Sequence, residues 1–195
     1  MTVLGIYGSP RPGGNSDILL DRALEGAGAG GAEVDRIYTR DLKISGCLEC
    51  GGCDETGACV IPDEMDDLYP KLREAEVIIM AAPMFFYGVP AQLKALVDRS
   101  QALWSKRRLE KTPDEWKRYD HGRGFFIGVG ATKGKTLFDG SKMMAKYFFD
   151  ALDKRYEGGL FYAGVEARGS IADGPEALRE AFDLGLRAVS GKATS

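Results

Sequence analysis

Histidine is nearly absent: the chain has one, His121, in 195 residues. That excludes a histidine-rich metal site and makes a nucleophile–histidine triad a poor reading, so His121, set among charged neighbours, is expected to be a plain surface residue. There is also no long hydrophobic run. The most apolar stretch, VIIMAAPMFFYGV (77–89), has thirteen residues and contains Pro83, too short for roughly 30 Å of hydrocarbon. The opening MTVLGIYGSPR has no basic stretch ahead of its short apolar run, which argues against a signal peptide. Charge of one sign is missing too: 26 basic against 29 acidic residues leave a net −3, with no one-sided basic stripe for a phosphate backbone. Nucleic acid and membrane are therefore not expected partners, and a cytoplasmic location is expected. No cysteine lies outside residues 47–59. In a reducing compartment, thiols clustered this way are metal ligands or redox groups more often than structural disulfides.

The length suits one α/β domain, able to bury roughly 70% of its unfolded surface without staples. Five β-branched, aromatic or apolar runs read as strands: 3–7, 34–38, 77–82, 124–129 and 159–165. Helical patterns fit 16–26, 64–75, 91–104, 139–153 and 175–190. Strands that alternate with helices and lack polar alternation imply a parallel sheet covered on both faces. The expected fold class is α/β: a flavodoxin-like, doubly wound, five-stranded parallel sheet in three α/β/α layers. Ligands of such sheets bind past the carboxyl ends of the strands, where strand order reverses. Residues 1–195 are read as a single domain carrying a cysteine-rich loop (44–62) and a charged insertion (105–123). The insertion is expected to be a solvated excursion, with a subunit contact or lid as the sharper alternative.

Strand one leads into GSPRPGGNS (8–16) and then a helix. Gly14 and its neighbouring glycines expose backbone N–H groups. Ser9, Asn15 and Ser16 supply short donors, and Arg11 offers a bidentate fork; beside a helix N-terminus this suits a phosphate monoester. The alternative is a plain capped turn. Strand three leads into Pro83, Met84, Phe85, Phe86, Tyr87 and Gly88, ahead of a helix opened by Pro90. An apolar aromatic loop beside a phosphate loop covers a flat heteroaromatic ring, and backbone N–H groups near Met84–Phe86 are expected to address ring carbonyls. Ordinary core or a dimer contact is the bland alternative. Gly130, Ala131 and Thr132, after strand four, would close the third side.

Two glycine patterns mislead. GAGAGG (26–31) matches G-x-G-x-x-G but follows a helix, the reverse of a dinucleotide fingerprint, and reads as a helix terminator. GVGATKGKT (128–136) resembles a phosphate-binding P-loop, yet the required glycine position is Val129, so an ATPase reading is weak.

Cys47, Cys50, Cys53 and Cys59 are spaced C-x2-C-x2-C-x5-C among Gly46, Gly51, Gly52 and Gly57. Three evenly stepped thiolates and a fourth from the same loop fit one 4Fe-4S cluster. Structural zinc and free or disulfide-forming thiols remain the alternatives.

GSPRPGGNS, PMFFYGVPAQLKALVDR and the cysteine loop between them together resemble the iron-sulfur flavoprotein family within the NADPH-dependent FMN reductase superfamily, over residues 3–99. The resemblance implies FMN, with its phosphate at Ser9, Arg11, Asn15 and Ser16 and its ring against Pro83–Gly88 and Gly130–Thr132. It supports the 4Fe-4S assignment and implies a homodimer or homotetramer. The expected function is an FMN-dependent oxidoreductase that joins two-electron flavin chemistry to one-electron transfer through the cluster. Chemistry rests on the flavin, with no catalytic side chain. NAD(P)H is a candidate donor, beside other small-molecule donors or acceptors and a ferredoxin-like redox protein. The alternatives are an NAD(P)H-dependent FMN, quinone or metal reductase without a cluster, and a flavodoxin-like electron carrier.

Overall fold

Continuous apolar runs become strands buried on both faces. In the computed structural model, which describes residues 1–190, β1 (Thr2–Tyr7), β2 (Glu33–Tyr38), β3 (Val77–Pro83), β4 (Arg123–Gly130) and β5 (Arg155–Ala163) form one sheet. Its order is β2-β1-β3-β4-β5 and every pair is parallel. Alternation along each strand explains the double burial. Val3 and Tyr7, with Val77 and Ile79, face helices α1 (Asn15–Ala29) and α6 (Pro175–Val189), where Leu20, Leu24, Ala181 and Leu184 pack. Leu4 and Ile6, with Ile78 and Met80, face α2 (Met65–Glu74), α3 (Ala91–Arg99) and α5 (Asp139–Ala151) through Leu68, Leu93, Leu96 and Phe149. The expected doubly wound sheet is present.

Three boundaries differ from expectation for physical reasons. The helix expected over 91–104 breaks at Ser100, whose hydroxyl donates back to Leu96 O at 3.1 Å, and α4 (Gln101–Glu110) continues into the charged segment. Strand five starts at Arg155 rather than Gly159. It is a half-buried edge strand, so its first residues carry no apolar run to reveal them. GAGAGG does not all lie past the helix: α1 runs to Ala29, and Ala32 N–H reaches back to Ala27 O at 3.1 Å with Gly31 left-handed at φ +87°, a glycine-based terminus one turn later than expected. Inside the helix, Gly26 lets α6 approach. A Cβ there would stand 2.0 Å from Phe182 O, and one on Gly185 of α6 would stand 1.8 Å from Ala23 O.

The segment 105–123 is not a free surface excursion. Buried Arg107 pairs through Nε with Asp153 (2.8 Å) and through Nη1 with Asp150 (2.7 Å), while Lys111 reaches Asp153 at 2.6 Å. Trp116 and Tyr119 cover the Arg107 guanidinium. Next to this network Lys154 is fully buried and donates to Arg73 O at 3.0 Å, Ala75 O at 2.6 Å and His121 O. Burial pushes its pKa down to about 8, and three carbonyl acceptors support the charge at neutral pH. His121, expected at the surface, is half-buried, and burial lowers its pKa. These groups pin the start of β4 to the start of β5, at the edge of the sheet opposite the carboxyl ends.

No helix among the described residues is long and apolar enough to cross a membrane. Gly185→Ala is expected to cost about 1–3 kcal/mol through overpacking between α1 and α6, read as a lower urea midpoint. An unchanged midpoint would show that the two helices do not meet this closely.

Candidate functional site

Because all strands run one way, the turns after Tyr7, Tyr38, Pro83, Gly130 and Ala163 share one edge, and strand order reverses between β1 and β3. The first turn is built tightly. Ser9 Oγ accepts from Arg11 N–H at 3.2 Å and donates to Arg11 O at 2.9 Å, while Gly13 is left-handed at φ +63°. The first helical bond of α1 is Ile18 N–H to Gly14 O at 3.0 Å, so the N–H groups of Asn15, Ser16 and Asp17 open the helix without helical acceptors. Ser16 Oγ is buried and has no partner among the described residues. An unmatched hydroxyl at a helix N-terminus is the donor set a phosphate requires.

Asn15 serves differently from expectation. Its Nδ2 donates to Ala167 O at 2.9 Å and its Oδ1 accepts from Ile171 N–H at 3.2 Å. Both ends of the amide tie the loop after β5 to α1, leaving the Asn15 backbone N–H for a ligand. Arg11 is exposed. Arg168, from the loop after β5, lies over the turn and donates to Pro12 O at 2.7 Å. Asp17 sits behind the turn, accepting from Gly13 N–H at 3.1 Å and from Arg40 at 3.0 Å. Burial raises the proton affinity of its carboxyl against the opposing pull of Arg40.

Beyond Pro83 the chain folds into a two-residue hairpin. Phe85 and Gly88 exchange both backbone hydrogen bonds at 2.9 Å, which forces Phe86 and Tyr87 to φ +50° and +62°. Side chains rarely adopt that region, and held strain of this kind gathers at ligand sites. Phe86 is fully exposed, Phe85 and Tyr87 about half. The expectation that N–H groups near Met84–Phe86 address a ring fails for two of them. Met84 N–H bonds Val129 O at 2.7 Å, extending the β3–β4 ladder, and Phe85 N–H closes the hairpin.

A cleft of about 230 Å³ joins these parts. Of the expected residues it is lined by Ser9, Arg11, Gly14, Asn15 and Ser16 from the first turn, Pro83, Met84 and Phe85 from the hairpin, and Ala131. Phe86, Tyr87, Gly88, Gly130 and Thr132 do not line it; Tyr87 instead lays its hydroxyl where a Cβ on Gly134 would stand, 2.4 Å away. Val165 and Glu166 do line it and escape sequence reasoning, since only their place just after β5, on the carboxyl edge, marks them.

The cysteine loop follows β2 on the same edge. Cys47, Cys50, Cys53 and Cys59 all line one cavity of about 590 Å³, together with Arg99 and the start of α4. All four are free thiols, two exposed and two half-buried. Glu49 N–H donates to Cys47 Sγ at 3.4 Å and Ser105 Oγ donates to Cys53 Sγ at 3.5 Å. Among the described residues no three His, Cys, Asp or Glu side chains stand as a ready metal-ligand set, so the four thiols share a cavity without being gathered to a point. Asp63, at the far end of the loop, accepts from Ser45 N–H and Met65 N–H, each at 3.0 Å. Burial is the largest single influence and raises its carboxyl pKa, but the bond from Arg99, the two backbone N–H bonds and the Arg99 charge together outweigh it and leave the carboxyl below the usual range.

Residues 1–134 match the family model described as NADPH-dependent FMN reductase. An iron-sulfur flavoprotein of Methanosarcina thermophila is 44% identical over 106 residues, covering 54% of this chain and 56% of that one. An iron-sulfur flavoprotein of Methanocaldococcus jannaschii is 44% identical over 103 residues, covering 53% of each. The chain thus spans about half the length of the curated relatives it matches. A solved NAD(P)H:quinone oxidoreductase from Methanothermobacter marburgensis superposes with a TM-score of 0.68 at 16% identity, covering 96% of both chains; that likeness carries the fold alone. Matched over its first 134 residues and akin to iron-sulfur flavoproteins, the chain belongs to the NADPH-dependent FMN reductase family.

Proposed function

We propose that the chain is an FMN-dependent oxidoreductase that couples flavin chemistry to one-electron transfer through a 4Fe-4S cluster in the cysteine loop. The observation that carries it is the cleft at the strand-order reversal, where the open head of α1 and the unpartnered Ser16 hydroxyl face the apolar hairpin after β3. The relatives named iron-sulfur flavoproteins, and the single cavity lined by all four cysteines, support the second centre.

When bound, FMN supplies two-electron exchange with a small-molecule donor such as NAD(P)H and one-electron exchange with a cluster. The chain's own residues bind and shield. Ser16 Oγ and the N–H groups of Asn15 and Ser16 hold the phosphate, and Arg11 supplies charge. Met84 and Phe85 exclude water from one side of the cleft, while Val165 and Glu166 bound the other. Fully exposed Phe86 supports a second surface, from another copy of the chain or a donor, covering the hairpin. No side chain is assigned a covalent or acid–base step. On this reading the chain is one domain, with both centres on one sheet edge.

The absence of a ready ligand set among the described thiols favours a second reading, an NAD(P)H-dependent FMN or quinone reductase without a cluster. An absorbance spectrum of oxygen-free protein separates the two. The cluster reading expects flavin peaks over a broad iron-sulfur band, with about four iron and four sulfide per chain; flavin without iron selects the second reading, and a colourless protein that refuses added FMN defeats both.

Two substitutions test the sites separately. Arg11→Ala is expected to weaken FMN binding about tenfold, the low end for a charge-assisted contact because Arg11 is exposed. Equal affinity by fluorescence titration would assign the phosphate to Ser16 and the backbone alone. Cys53→Ser should remove iron and leave flavin content intact, because the cleft and the cavity share no lining residue; loss of both would join the two sites.

A further inference from the structure

The cysteine loop has neither helix nor strand between Ser45 and Asp63, yet both of its ends are fastened to one side chain. Arg99, the last residue of α3, is fully buried. Its Nη1 donates to Ser45 O and Ser45 Oγ, each at 3.3 Å, and to Asp63 Oδ2 at 2.6 Å, while Nη2 donates to Ile61 O at 3.2 Å. A planar fork with fixed donor directions locks these groups together as a flexible ammonium would not. Nε is also buried and has no partner among the described residues, although Arg99 lines the cavity that the four cysteines share. A buried guanidinium that meets one carboxylate, in the wall of a cavity lined by four thiols, is suited to negative charge in that cavity.

We propose that Arg99 is the positioning residue of the cysteine loop: its guanidinium fastens both loop ends so that four thiols face one cavity, and its charge stabilises an anionic cluster held there. The second role rests on the cluster reading above; the first does not. Tyr69 completes the arrangement, its hydroxyl donating to Arg99 O at 3.1 Å and so fixing the end of α3 against α2.

The test compares the full chain with Arg99→Gln, Arg99→Lys and Asp63→Asn, using bound FMN per chain to confirm folding. In the metal-free proteins, peptide mapping after iodoacetamide should show Cys53 and Cys59 alkylated about tenfold faster in all three variants, because each breaks the fork. Wild-type alkylation rates throughout would overturn the fastening role. After anaerobic reconstitution with ferrous iron and sulfide, Arg99→Gln should disfavour cluster reduction about tenfold, which is about 59 mV downward for one electron. Arg99→Lys should restore most of that shift, and Asp63→Asn should move the potential upward by unmasking the charge. Equal potentials in wild type and Arg99→Gln would overturn the charge role, since a purely structural contact gives no opposite signs. Should Arg99→Gln lose its FMN and fail to fold, the signs of Arg99→Lys and Asp63→Asn decide. A wild-type chain that takes up flavin but no iron or sulfide overturns the cluster reading and the charge role together, while alkylation still decides the fastening.

Discussion

The parallel sheet is the constraint on which everything else depends. Parallel ladders with helices on both sides oblige each chain reversal to leave by the same edge, so loops distant in sequence become neighbours without any cross-link. Gly8 illustrates how tightly this is drawn. Its N–H bonds Ala81 O at 2.8 Å, and a Cβ would stand 2.5 Å from Leu93; the first turn therefore presses directly against the strand and helix that carry the hairpin. The helices gain their stability from the same arrangement, since each buries one apolar stripe on a sheet already committed on both sides.

Among the described residues, the buried polar side-chain atoms without a partner lie toward that edge, as do Glu49, Phe86 and Tyr87, three of the four non-glycine residues with left-handed backbone; the fourth, Asp153, lies on the opposite edge. Phe86 and Tyr87 hold left-handed backbone that a glycine pair would adopt freely, and Ser16 Oγ and Arg99 Nε are buried donors without an acceptor among the described residues. Their concentration on the carboxyl edge, set against the ionic network of Arg107, Lys111 and Asp153 on the opposite edge, distinguishes a region suited to binding from one that holds the sheet together.

Much of this was legible in the residues. Strand runs, the glycine-rich first turn and the aromatic turn after strand three are local patterns, and their convergence follows from strand polarity alone. What escaped depends on distant partners. Nothing near Asn15 reveals that its amide is spent on Ala167 and Ile171 from a loop some 150 positions away. Arg99 reads locally as a favourable cation at a helix C-terminus, and only the returning loop shows that it is buried. Arg107 and Lys111 lie in a segment so charged that solvation was the natural expectation; Asp150 and Asp153 turn that charge inward. Val165 and Glu166 have no composition signal, because a residue whose role is to bound a cleft needs position rather than chemistry.

Helix α3 begins two residues after the hairpin and ends at Arg99. Nine residues at about 1.5 Å rise and 100° of rotation each make it a rod about 13 Å long with a fixed phase. Both ends are committed, one to the cleft and the other to the cysteine cavity. Adding or deleting a single residue within it would swing the guanidinium about 100° off the loop it holds while leaving the hairpin in place. The spacing between the cleft and the cysteine cavity is thus quantised by helical geometry, and a change of length should be tolerated only in whole turns.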